Sequence, residues 1–137
     1  MLDWLKIIHK EYPEFWKLYL SKFEKKSNRY VVFSTETTGL SLEKDVILSF
    51  GSFSIVDNSI IIGDSFETVI AQYKFFHDNG ISNEFTIETK MKKMGEADAI
   101  QALVEFIGNA VLVGHHIDFD VEMINVALER LGCGRLK

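Results

Sequence analysis

Cysteine is almost missing from this chain. The lone Cys133 excludes an internal disulfide framework and fits a reducing cytoplasm. Its Gly-Cys-Gly setting reads as a small residue in a turn, because no motif sets a catalytic His beside it. Proline occurs once, as Pro13, so only one point in the helical regions carries that breaker. No stretch approaches the ~18 apolar residues of a membrane span. The first residues, MLDWLKIIHK, mix charge into the apolar pattern too early for a signal peptide, and no membrane partner is expected. An excess of positive charge is lacking as well. The net charge of −5 argues against association driven by bulk phosphate neutralisation. A local phosphate grip assisted by metal ions is still compatible with it, since carboxylate ligands themselves make a sequence acidic. Lysines at 22, 25 and 26 and at 90, 92 and 93 read as solvated surface. There is no internal repeat, low-complexity tract or linker.

What remains is an ordinary globular composition. With 137 residues, 47% of them apolar and 26% charged, the chain is one domain. Folding at that size buries roughly 68% of the unfolded surface. Leu2, Leu5 and Ile8, then Phe15, Leu18, Tyr19 and Phe23, recur at helical spacing on either side of Pro13, which predicts two short helices meeting near Tyr12. The aromatics Trp4, Tyr12, Phe15, Trp16, Tyr19 and Phe23 read as packing against a sheet and not as a base-stacking surface. Tyr30 to Thr35 is a continuous apolar run, expected as a central strand covered on both faces. Asp45 to Val56 and Ser59 to Val69 flank Asp57-Asn58, a two-residue hairpin signal. The stretch from Gln72 to Lys93 has no clear period. Glu96 to Ile107 reads as a helix stopped by Gly108-Asn109, Ala110 to Val113 as a short buried strand, and a last helix ends at Gly132.

The run VVFSTETTGL, Val31 to Leu40, resembles the first motif of the DEDD superfamily of 3′-to-5′ exonucleases, which includes the proofreading epsilon subunit of bacterial DNA polymerase III and RNase T. In that family the strand carries Asp-x-Glu; here Ser34 holds the Asp position and Glu36 remains. The segment VLVGHHIDFD, Val111 to Asp120, is similar to the second motif and matches Asp120 to the next carboxylate. SFETVI from Ser65 looks like the third strand, and His77 with Gly80-Ile81 is a loose echo of a His-Gly-Ile loop. The resemblance implies an α/β, RNase H-like exonuclease fold, a mixed sheet flanked by helices. Residues 1–28 would form an N-terminal helical arm and residues 29–137 an exonuclease domain incomplete at its C-terminal end. The family's third motif, His-x4-Asp on a later helix, is not found after Asp120.

What the resemblance implies chemically is two-metal phosphodiester hydrolysis at a single-stranded DNA or RNA 3′ end, with magnesium or manganese as cofactor. One ion lowers the pKa of the attacking water and a second, about 4 Å away, steadies the leaving oxygen. Such ions want oxygen ligands from several points of the chain. Residues 34 and 36 point to the same side of a strand, so Asp-x-Glu offers two ligands at once. Glu36 and Asp120 are therefore the implied metal ligands, with Ser34 a neutral hydroxyl where a carboxylate is expected. Thr37, Thr38, Gly39 and Leu40 would seat the terminal nucleotide, as in a nucleoside monophosphate complex, with His115 and His116 as further nucleotide-binding residues. Adjacent histidines are expected to point apart, and no third ligand completes a zinc tetrahedron. Asp118 is the expected helix cap, leaving Asp120 for the site, and Asp45 is read as structural. The chain would be inactive or impaired, one domain of a polymerase-linked parent and a homodimer through uncovered apolar sheet. The alternative is a catalytically retired nucleotide-binding or protein-interaction module, with the aromatic arm as its contact surface.

Overall fold

A computed structural model describes residues 11–71 and 93–137. The expected first helix, the His77 to Ile81 echo, and Lys90 and Lys92 lie outside them. A helix α1 (Glu14–Ser21) runs into a 3-10 turn (Lys22–Glu24), followed by strands β1 (Arg29–Thr37), β2 (Ile47–Val56), β3 (Ser59–Ala71) and β4 (Lys93–Gly95). Helix α2 (Glu96–Ile107), strand β5 (Val111–Val113) and helix α3 (Ile117–Arg130) complete the order. The strands form one mixed sheet in the order β4-β3-β2-β1-β5. The β1/β2 and β2/β3 pairs are antiparallel, whereas β1/β5 and β3/β4 are parallel.

Local chemistry accounts for the elements. Asp57 and Asn58 both adopt positive φ, 51° and 64°, the backbone a tight two-residue hairpin turn requires and short polar side chains tolerate. Pro13 stands at the N-cap of α1, where its missing N–H costs nothing. In α2 the residues Ala99, Ile100, Leu103, Val104 and Ile107 fall on one buried stripe. These meet Val31, Phe33 and Phe50 of the sheet, Ile124 and Leu128 of α3, and Trp16 and Tyr19 of α1 in a single core.

The described part of the aromatic arm is thus packed into the core. Trp16 and Tyr19 are 1% and 2% exposed, with ring centroids 4.7 Å apart. The Asn109 side-chain amide donates to the carbonyls of Lys22 and Lys25 at 2.9 and 2.8 Å, and the Lys137 N–H donates to the Tyr19 hydroxyl at 2.8 Å. That arrangement leaves no aromatic stripe on α1 free to serve as the contact surface of an interaction module.

Two expectations need correction. Strand β1 is not covered on both faces: Val31 and Phe33 are buried, but Ser34 and Glu36 are exposed and Tyr30 is 47% exposed. Its apolar run hides a period of two, because the valines and aromatics continue across a face that polar residues share further along. Strand β5 is likewise not buried. It borders only β1 and lies at the sheet edge, with Val111 and Val113 50% and 42% exposed.

Candidate functional site

The turn after β1 is built around one carboxylate. Thr38 Oγ1 donates to Asp45 Oδ1 at 2.8 Å and accepts from the Val46 N–H at 3.0 Å. The Thr38 N–H returns to the Val46 carbonyl at 3.0 Å. Asp45 Oδ2 accepts from the Ser41 N–H at 2.8 Å. Gly39 is required here because a Cβ would stand 2.5 Å from Asp45 Oδ2. The close approach that this glycine permits is therefore to Asp45. Thr37 Oγ1 donates to the Gly39 carbonyl at 2.8 Å, closing the turn, and Leu40 projects beyond it, 85% exposed.

Glu36 and Ser34 stand on the exposed side of β1, and neither is hydrogen-bonded or ion-paired among the described residues. Asp120 is placed differently. It is 7% exposed at the start of α3, and Thr35 Oγ1 donates to its Oδ1 at 2.6 Å. Burial pushes its carboxyl above the ordinary Asp range, while the Thr35 hydrogen bond and nearby His116 pull it back. Thr35 points away from its neighbours 34 and 36 along the strand, so the first partner of Asp120 is on the other side from Glu36.

His116 is the N-cap residue of helix α3; its backbone is left-handed (φ 52°, ψ 42°) and it makes no side-chain cap. Asp118 is not the cap; it is an exposed acid of the first turn, where it complements the helix dipole. The two histidines do not point apart. The left-handed turn swings their rings edge to face, with centroids 4.2 Å apart. Before them, Gly114 brings the chain so near β1 that a Cβ would meet the Phe33 carbonyl at 2.7 Å. His115 and Ser34 line one cavity of about 350 Å³ on the exposed face of the sheet.

Glu36 and Asp120 are oxygen donors of the kind hard divalent ions take. Among the described residues no group of three or more His, Cys, Asp and Glu side chains is close enough to hold an ion. The donor type suits magnesium or manganese, but the set is short of the ligands a two-ion centre needs. Sequence reasoning missed two supporting residues, Thr35 and Gly114, and read Asp45 as structural without naming its partners. Only Asp45 left a signal, as an acid a short polar turn away from Thr38.

The sheet order and flanking helices define an RNase H-like exonuclease fold. The chain superimposes on Exonuclease I from Methylocaldum szegediense with a TM-score of 0.61 at 18% identity, covering 77% of this chain and 24% of that one. A metal-free E. coli Exonuclease I–single-stranded DNA complex gives 0.59 at 16% identity, covering 79% and 25%. In sequence, the exonuclease family model RNase_T matches residues 31–135, and the chain belongs to that family, within the DEDD superfamily of 3′-to-5′ exonucleases. It is 33% identical over 115 residues to the PolC-type DNA polymerase III of Clostridium perfringens, covering 77% of this chain and 7% of the polymerase. With the Staphylococcus haemolyticus PolC-type polymerase it shares 31% over 110 residues, 80% of this chain and 8% of the relative. The chain thus spans less than a tenth of those polymerases, in which the exonuclease domain is one part. Among the described residues no helix is long and apolar enough to cross a membrane.

Proposed function

We propose that the domain binds the 3′ end of a single strand of DNA or RNA at the end of β1 and that, with Ser34 in place, its hydrolysis is impaired. The observation that carries this reading is the prebuilt turn from Thr37 to Leu40. Its backbone is fixed by Asp45, independently of Ser34, beside an exposed Glu36 and an exposed apolar Leu40 that a base can cover. Glu36 is the exposed carboxylate open to magnesium or manganese, and Asp120 would join it on leaving its hydrogen bond to Thr35; such an ion, when bound, supplies an activated water. Thr37, Thr38 and Gly39 position the terminal nucleotide, and His115 and His116 border it. Ser34 offers the ion no charge, so binding outlasts catalysis.

The same incompleteness of the ligand set favours a second reading, a retired module that binds nucleotides without hydrolysing them. The family link to PolC-type polymerases supports a place beside a polymerase, and the exposed Tyr30, Val111 and Val113 support self-association through that sheet edge. Titration of a 5′-labelled oligonucleotide with manganese separates the readings. Slow removal of nucleotides from the 3′ end, lost in Glu36→Gln, supports the nuclease. Tight binding with the strand intact at every metal concentration supports the retired module, and absence of binding removes both.

A further inference from the structure

The sheet face that carries Ser34 also carries a cavity that reaches past the strand-end residues to Ser65 and Glu67 of β3. In the register of the sheet Ser34 pairs with Gly51, and Gly51 pairs with Glu67, so the three residues form one row across β1, β2 and β3. Cross-strand partners share a face. The cavity of about 350 Å³ is lined by this row, by His115 beyond β1, and by Phe53 and Ser65 in the next row. Its floor is low because its central residues are small. A Cβ built on Gly51 has no atom within 4 Å, so the backbone there is open to a flat group. Glu67 and His115 are both exposed, and Glu67 makes no hydrogen bond or ion pair among the described residues.

The volume lies at the lower end of the range for small-molecule sites, room for one heterocycle and not for a whole dinucleotide. Aromatic side chains in the lining are His115 and Phe53, of the kind on which a base can stack. With Ser34 neutral, the row from Ser34 through Gly51 to Glu67 carries a single carboxylate, Glu67. A carboxylate accepts two parallel hydrogen bonds from adjacent donors. Of the five common bases only guanine presents two neighbouring N–H groups, N1–H and N2–H, on its pairing edge. Adenine and cytosine set an acceptor beside their amino group, and uracil and thymine flank one N–H with two carbonyls.

We infer that this cavity is a base subsite preferring guanine, read by Glu67, with the ring lying over Gly51 beside His115. The inference rests on the proposal that the domain binds strand ends, and it makes Glu67 a specificity-determining residue. The test is NMR titration of the full chain with the four nucleoside 5′-monophosphates, repeated on Glu67→Gln and Gly51→Ala. The glutamine keeps size but loses one acceptor. The alanine meets no atom and leaves the fold alone, yet raises a methyl into the floor.

The expected result is that guanosine monophosphate binds about tenfold tighter than the other three, with amide shifts at residues 51, 65, 67 and 115. Each substitution should bring it down to the level of the other three. Equal binding of all four nucleotides, with shifts at residues 36 to 40 and none at 51 and 67, overturns the subsite while sparing the strand-end reading. A guanine preference that survives Glu67→Gln overturns it as well. No shift with any nucleotide removes the subsite and the strand-end reading together.

Discussion

Asp45 and Thr38 hold each other at 2.8 Å across the turn that follows β1, and the same carboxylate fills the space that a side chain on residue 39 would need. The turn is therefore one unit, in which each residue's identity depends on the other two. Asp45→Ala strands the Thr38 hydroxyl and the Ser41 N–H and should cost about 1–3 kcal/mol. Gly39→Ala, which pushes on the carboxylate, should cost a similar amount through overpacking. Because the two act on one contact, the double variant should be less destabilised than the sum. Urea denaturation of the three variants checks this, and strict additivity would show that the carboxylate does not set the choice of glycine.

Asp120 carries a signature in the pH dependence of stability. Its carboxyl is raised by burial, so between the unfolded value and the raised folded one the native state binds more protons than the unfolded chain. Stability falls as pH rises through that window, and the loss is complete above the folded pKa. Asparagine at this position still accepts the Thr35 hydroxyl but bears no charge. Asp120→Asn should therefore be more stable than the parent at neutral pH and lose this part of the slope in acid, while binding metal less well. Thermal melts from pH 3 to pH 8, approximately, test both halves.

For Ser34 the outcome turns on charge. Ser34→Asp restores an Asp-x-Glu pair on one face of β1 and should tighten manganese binding, read by calorimetry. Family-type metal activation is worth on the order of 10² to 10⁴ in rate when a bridging carboxylate is lost or regained. In this 137-residue chain most of that gain should stay unrealised, because no His follows Asp120 to act as general base. Any activity that does appear should vanish with Glu36→Ala. Full restoration by the single change would show that a base lies elsewhere in the chain.

The helical arm makes a separate claim on stability. Trp16 is almost wholly buried, packs on Tyr19 and lies 3.4 Å from where a Cβ on Gly134 would be. Trp16→Ala should cost about 3–5 kcal/mol, as for a large core side chain. Replacing the exposed Leu18 on the same helix should cost little. Matched denaturation curves for the two settle whether the arm is part of the core.

Much of this fold was legible because its signals are local. Asp57-Asn58 announced the hairpin, the stripe from Ala99 to Ile107 announced α2, and the Ser34/Glu36 and Asp120 motifs announced the family. What escaped depends on contacts across the chain or on backbone sign. Nothing in Val111-Leu112-Val113 says that β5 is an edge strand, since its composition is that of an interior one. The Thr35 to Asp120 bond joins residues 85 apart in sequence. The paired rings of His115 and His116 arise from a positive φ that histidine adopts only occasionally.

That left-handed backbone also dictates which substitutions this corner will accept. At His116 the tolerance profile should be narrow and odd: glycine and asparagine welcome, alanine mildly unfavourable, valine and isoleucine excluded, because branching at Cβ collides with the carbonyl in this conformation. One residue earlier, His115 should accept far more. A saturation library scored for folding would then record sharply different spectra at two positions occupied by the same amino acid, a contrast set by torsion angle and invisible to any comparison of side-chain chemistry.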